Sequence, residues 1–211
     1  MFYRSDHDAA NRIAVETGAV AVQADVAKED SLLRGFEVVD RLGTLEVLVN
    51  NAAISGRVGP FSELPTAEVE QVIRTNVTGP FLACREAVKR MSTKRGGKGG
   101  AIVNVSSGAA KSGSPGVWVH YAASKGALDT LTIGLAKEVA GEGIRVNAIR
   151  PGLVDTEIHK ARPPGQLEKM AKAVPMGRMG TPEEAARAIL WLCSAEASYI
   201  TAAIVDAAGG F

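Results

Sequence analysis

Tyr121 and Lys125 stand four residues apart, a spacing that puts both side chains on one face of a helix. Ser107 lies fourteen residues ahead of Tyr121. A phenol, an ammonium and a hydroxyl in this arrangement suit the reduction of a carbonyl. Hydride delivery to a carbonyl carbon leaves an alkoxide that must be protonated. A tyrosine hydroxyl can give that proton, but its ordinary pKa of about 10 is too high for efficient exchange near neutrality. An adjacent ammonium stabilises phenolate and lowers that value. The serine hydroxyl can donate to the carbonyl oxygen as negative charge gathers there. The Tyr-x-x-x-Lys spacing alone is common, and its plain alternative is a half-buried tyrosine beside a solvated lysine. The setting distinguishes it: Ser107 closes an aliphatic run, and residues 108–120 read as a Gly- and Ser-rich loop able to fold back.

The elements that must hold these groups are legible as alternating patterns. Aliphatic runs at 19–24, 45–50, 101–106 and 144–149 read as buried strands, with a fifth candidate at 203–206. Helical patterns lie between them, near 6–17, 30–42, 66–91, 121–140 and 182–194. Near-continuous aliphatic strands separated by helices predict an α/β fold whose parallel sheet is covered on both faces. Thr181, Pro182, Glu183 and Glu184 make a strong helix start. The glycines at 96, 97, 99 and 100 precede a strand, so they read as a flexible surface turn and not as a phosphate cradle. Ligands of open parallel sheets bind at the carboxyl ends of the strands. Small or polar residues collect there: Asp25 after the first run, Asn50 to Ala53 at the second, Ser106 to Gly108 at the third, and Pro151 and Gly152 after the fourth. Asn76 sits inside a helical pattern, where asparagine is mildly unfavourable. Its residues alone point to a local kink or to a buried amide satisfied by backbone.

Bulk properties narrow the classes. A chain of 211 residues fits one domain over 1–211. Hydrophobic residues make up 46% and aromatics only 5%, so the core must be aliphatic. A net charge of +1 steers the chain toward neither nucleic acid nor an anionic membrane. No apolar run approaches the roughly 20 residues needed to cross a bilayer. The N-terminus does not read as a signal peptide. Cys84 and Cys193 form neither a metal spacing nor a disulfide framework, and read as reduced core residues of a cytoplasmic protein.

Five segments in order, NNAA at 50–53, TNVTGPF at 75–81, VNVSS at 103–107, YAASKGAL at 121–128 and IRVNAIRPG at 144–152, resemble the short-chain dehydrogenase/reductase family. The similarity runs over essentially the whole chain. In pattern it is nearest to small bacterial glucose-dehydrogenase-like and acyl-carrier-reductase-like oxidoreductases. The resemblance implies a Rossmann-like doubly wound parallel sheet and a nicotinamide-dependent interconversion of a small carbonyl and its alcohol. It makes Tyr121 the general acid/base and gives Lys125 a second task, holding the nicotinamide ribose. Ser107 would polarise the substrate carbonyl, and Asn76 would hold a water linking Lys125 to solvent. Asp25 and Val26 would border the adenine. Asn51, Ala52 and Ala53 would pass along the adenosine side. Pro151, Gly152, Val154 and Thr156 would seat the nicotinamide amide and the diphosphate. Arg4 and Ser5 fall where the family's second strand ends, and an arginine there accommodates the 2′-phosphate of NADP, so NADP(H) is expected over NAD(H). The alternative is a solvated arginine. No metal is expected. Family members assemble as dimers or tetramers through helices like those at 66–91 and 121–140, so a homo-oligomer is expected.

Two departures stand out. Ala53 and Ala202 replace glycines of the family pattern, and Ala202 would lose backbone freedom if its φ were positive. More seriously, no strand, glycine-rich turn and helix open the chain, so the first β-α-β piece is expected to be missing. The lost strand is expected between those at 19–24 and 45–50, leaving unpaired edges. A start-site error or fragment is the favoured reading. The alternatives are a non-catalytic truncated relative serving as a binding or oligomer partner, and a sheet repaired by direct pairing of the flanking strands. Residues 157–174, with a double proline and many charges, read as a mobile substrate lid.

Overall fold

The computed structural model describes residues 1–157 and 165–211. Six strands alternate with helices: β1 (Phe2–Tyr3), α1 (His7–Thr17), β2 (Val22–Gln23), α2 (Glu29–Leu42), β3 (Val47–Asn50), α3 (Thr66–Ile73), α4 (Gly79–Met91), β4 (Gly100–Val105), α5 (Ala109–Ser112), α6 (Val119–Val139), β5 (Ile144–Pro151), α7 (Gln166–Ala173), α8 (Pro182–Cys193) and β6 (Ile204–Ala207). Every ladder is parallel. The main sheet has the order β3-β4-β5-β6. Helices α4 and α6 cover one face and α8 the other, which gives the doubly wound α/β architecture expected from the alternating pattern.

Both faces of the central strands are buried because their alternate residues meet different helices. Ile102 and Val146 pack with Ala87, Met91 and Ala136 beneath α4 and α6. Val103 and Ile149 pack against Leu192 of α8. The helix starts follow their caps. Asp6 accepts from the Ala9 N–H, and Thr181 forms a reciprocal capping box with Glu184.

Strands β1 and β2 form a separate two-stranded sheet. The strand beside the break is β1, not the 19–24 run: Phe2 shares a cluster with Leu45 and Leu48 around Leu32, Phe36 and Ala83. A two-residue strand carries no alternation to read, which is why the residues of β1 gave no strand signal of their own. The flanking strands have not been joined into one ladder. The small sheet is held by α2, which is clamped to α4 by Arg90–Asp40 and Arg85–Glu29 ion pairs. Leu48 of β3 packs inward, so Val47 and Val49 face the α8 side by strand alternation. They are 41% and 39% exposed there, unlike their neighbours on β4.

Three further expectations are revised. The 66–91 helix is interrupted by a π-turn, Arg74–Thr78. The glycine turn is tightly packed instead of loose: a Cβ on Gly99 or Gly100 would strike the backbone of Gly143 or Glu46. Within the expected lid, residues 158–164 with the double proline lie outside the described residues, and α7 occupies Gln166–Ala173. Its charges and the prolines ahead of it had masked a helix.

Candidate active site

Ser107 follows the carboxyl end of β4, and the preceding Ser106 Oγ donates to the Lys125 carbonyl at 3.2 Å, pinning that strand end to α6. The 108–120 segment does fold back, but as α5 and the first turn of α6 with a short loop between. This return sets Tyr121 beside Ser107, whose hydroxyl favours ionisation of the phenol. Ser107 Oγ also accepts the Ala109 N–H at 3.1 Å. One turn beyond Tyr121, Lys125 Nζ donates to the Val105 carbonyl at 2.7 Å and lies 5.7 Å from the centre of the Tyr121 ring. Ser107, Tyr121 and Lys125 are therefore gathered at one strand end.

Their electrostatics differ from the sequence expectation in one respect. Burial pushes the Tyr121 phenol above its ordinary value, and the Ser107 hydrogen bond only partly opposes this. Burial also pushes Lys125 down to about 8, with the Asp129 carboxylate opposing the fall.

Asn76 lies in the π-turn and is buried. Its Oδ1 accepts the Ile54 N–H at 2.9 Å, while its Nδ2 donates to the Ile54 carbonyl at 2.8 Å and to Ser124 Oγ at 3.0 Å. Ser124 Oγ donates in turn to the Tyr121 carbonyl at 2.6 Å. The buried amide is thus satisfied chiefly by the Ile54 backbone, within a π-turn. π-Turns are frequent at functional sites, and this one ties the loop after β3 to the tyrosine helix.

The remaining candidates line the carboxyl ends of the strands. Arg4 and Ser5 follow β1 and are exposed, with the Arg4 carbonyl accepting from Gln23 Nε2 at 3.1 Å. Asp25 follows β2, and its Oδ1 caps the Ala27 N–H at 3.0 Å. Val26 lies against Gly79, whose missing side chain makes room for the Val26 carbonyl. Asn51, Ala52 and Ala53 are exposed after β3. Pro151 ends β5, and its carbonyl accepts the Gly108 N–H at 3.0 Å, joining this strand end to that of Ser107. Gly152 is required because a Cβ would sit 2.7 Å from Ala208 Cα. Val154 bridges to Gly180, and Thr156 is exposed. Arg4 and Ser5 are distant in connectivity from the Tyr121 group, since the break in the sheet lies between them. A cavity of about 330 Å³ opens beyond β5 and β6, with Leu153, Val154, Val174 and Met176 in its wall. A larger depression of about 740 Å³ lies at the opposite, amino ends of the strands, by Glu46, Gly100 and Ile144. Position at the strand carboxyl ends favours the smaller one, whose wall includes Val154 but not Ser107, Tyr121 or Lys125.

Sequence reasoning overlooked Ser124, Asp129 and Arg150, and placed Ser106 at a strand end without a role. Ser106 and Ser124 pin Tyr121 and Lys125 to their neighbours. The pair Asp129 and Arg150 is bonded at 2.9 Å; an acid one turn after Lys125 and a charge inside a buried strand were the available signals. Among the described residues no three His, Cys, Asp or Glu gather as a metal site, and no helix is long and apolar enough to cross a membrane.

The model of the enoyl-(acyl carrier protein) reductase family matches residues 1–211. The chain is 50% identical over 194 residues to an uncharacterized oxidoreductase, YgfF, of Escherichia coli K12, covering 91% of this chain and 78% of that protein. It is 39% identical over 194 residues to glucose 1-dehydrogenase 2 of Bacillus subtilis 168, covering 91% and 74%. It is 35% identical over 202 residues to the 3-oxoacyl-[acyl-carrier-protein] reductase FabG of Aquifex aeolicus, covering 95% and 79%. With its parallel α/β sheet and the Ser107, Tyr121 and Lys125 group at one strand end, this chain belongs to the short-chain dehydrogenase/reductase family of NAD(P)-dependent oxidoreductases.

Proposed function

We propose that this chain carries the proton-transfer half of an NADP(H)-dependent carbonyl reductase, with Tyr121 as the general acid/base. The observation that carries this reading is the grouping of Ser107, at the end of β4, with Tyr121 and with Lys125 buried one turn below on α6. A carbonyl oxygen placed at the two hydroxyls accepts from both, and Tyr121 passes its proton to that oxygen as it becomes an alkoxide. The Lys125 ammonium then faces a phenolate, and its charge favours that product. Asn76 fixes the neighbouring loop through Ile54 and takes no proton itself.

The residues fit a nicotinamide dinucleotide at its two ends but lack the glycine-rich cradle for the diphosphate between them. Tyr121, Lys125, Pro151, Gly152, Val154 and Thr156 would hold its nicotinamide ribose and amide, while Asp25, Val26, Asn51, Ala52 and Ala53 would border its adenosine. Arg4 and Ser5 favour the 2′-phosphate of NADP. When bound, the cofactor supplies the hydride. No glycine-rich turn between strand and helix is present among residues 1–211 to cradle the diphosphate, so the cofactor half of the site is partial. The working form is a homo-oligomer built on α4 and α6 and resident in the cytoplasm.

The test is carbonyl-dependent NADPH oxidation by this chain carrying a strand, glycine-rich turn and helix ahead of Met1, compared with the same protein bearing Tyr121→Phe. Reduction that stops with phenylalanine while the fold persists supports the reading; unchanged turnover removes Tyr121 from the chemistry. A second reading, a non-catalytic binding or oligomer partner, is favoured by the exposed Val47 and Val49 beside the broken sheet. It requires that the 211-residue chain itself turn over no carbonyl.

A further inference from the structure

Helix α6 carries two buried charged side chains one turn apart, Lys125 at 3% exposure and Asp129 at 6%. Residues at this spacing share a helix face. Asp129 Oδ2 accepts from Arg150 Nε at 2.9 Å and lies 2.8 Å from Arg150 Nη2, while its Oδ1 is buried with no partner among the described residues. Arg150 is shared: its Nη1 lies 3.7 Å from Asp206 Oδ1, and Asp206 Oδ2 accepts from Lys111 Nζ at 3.0 Å. A carboxylate that gives one oxygen to a shared, partly exposed guanidinium keeps much of its field. A buried ammonium needs such a field, since burial alone favours its loss of charge.

We propose that Asp129 is a positioning residue that supplies the counter-charge holding the Lys125 ammonium in the active site, and that Arg150 fixes the carboxylate for this task. The chain of pairs joins the three segments that build the site: α6, which carries Tyr121 and Lys125; β5, where Arg150 precedes Pro151; and α5, where Lys111 follows Ser107. Among the described residues, other titratable groups near Lys125 are few. Tyr121 and His120 lie on its own helix. Lys111 stands on α5 and Asp206 on β6. Glu68 of α3 borders Gly56 beside His120, before the turn of α6 that bears Lys125. Strand β4 contributes no charged side chain. Asp129 is thus the carboxylate on the Lys125 face.

The importance of this counter-charge for turnover rests on the proposed role of Lys125, but its existence can be tested without substrate or cofactor. The chain labelled with ¹³Cε-lysine is titrated by NMR, and the Lys125 signal is identified by its loss in Lys125→Met. The parent midpoint should lie at about 8. Asp129→Asn keeps an acceptor for Arg150 and removes the charge; the midpoint should fall by about one pH unit, and Asp129→Glu should restore it. An unmoved midpoint in Asp129→Asn overturns the proposal. Should that variant not fold, Arg150→Gln gives the opposite sign test, because it leaves the carboxylate undiluted: the midpoint should rise, and a constant or lower value overturns the proposal. Tyr121→Phe separates the two claims, since loss of the proposed proton transfer leaves this titration in place.

Discussion

Lys125→Met exposes the cost of burying this ammonium. In the folded chain Lys125 falls from 10.5 to about 8, chiefly through burial, and its 3% exposure leaves little solvent screening. At about 1.4 kcal/mol per pH unit the gap is worth roughly 3 kcal/mol. A group with a lowered folded value binds fewer protons folded than unfolded between the two values. The stability it contributes is complete above 10.5 and is lost as the pH falls through about 8. Methionine carries no such dependence. Its stability relative to the parent should therefore be highest near neutrality and decline by about 2 kcal/mol between about pH 6.5 and about pH 9.5. Loss of the bond to the Val105 carbonyl subtracts a nearly constant amount, on the order of 1–2 kcal/mol, so the slope decides and not the offset. Urea unfolding of both proteins at matched pH values measures it, with other titrating groups cancelling in the difference. Parallel stability curves would refute the argument that Lys125 is charged at the expense of the fold.

Ala202 has φ at +60°, the strained case its replacement of a glycine raised. Ala202→Gly should gain about 0.5–1 kcal/mol in thermal or urea unfolding, and a loss would show that its contacts with the core outweigh the strain. Asn76→Ala removes three hydrogen bonds from a buried amide and should cost about 2–3 kcal/mol, with faster amide exchange at Ile54 as the local sign. Titration of NADPH against the 211-residue chain, followed by nucleotide fluorescence, should show weak or no binding; micromolar affinity with turnover would contradict the partial cofactor site.

Some of this was readable because it is local. Helix α1 starts after Asp6 and stops at Gly18, whose φ of +72° suits glycine, and α8 starts at its capping box. The Tyr121 and Lys125 pair follows from helix geometry, and Ser107 from its place after an aliphatic run. Features resting on contacts between distant segments were not readable. Asp129 and Arg150 pair across two elements and leave no shared pattern in the chain. The π-turn at Asn76 is set by the Ile54 backbone, 22 residues away. The first strand is too short for alternation, and its neighbour across the break is chosen by the shared side-chain cluster of Phe2, Leu45 and Leu48.

The divided sheet also bears on how the molecule opens. Among the described residues β1 and β2 form one ladder and β3 to β6 another. Among the described residues no backbone bond joins the two ladders, so cohesion between them passes through α2, α4 and their side chains. Cooperative units follow such boundaries. The segment from β1 through β2 is therefore built to detach as a unit at lower free energy than the β4–β5 centre, leaving the Ser107, Tyr121 and Lys125 group folded when it does.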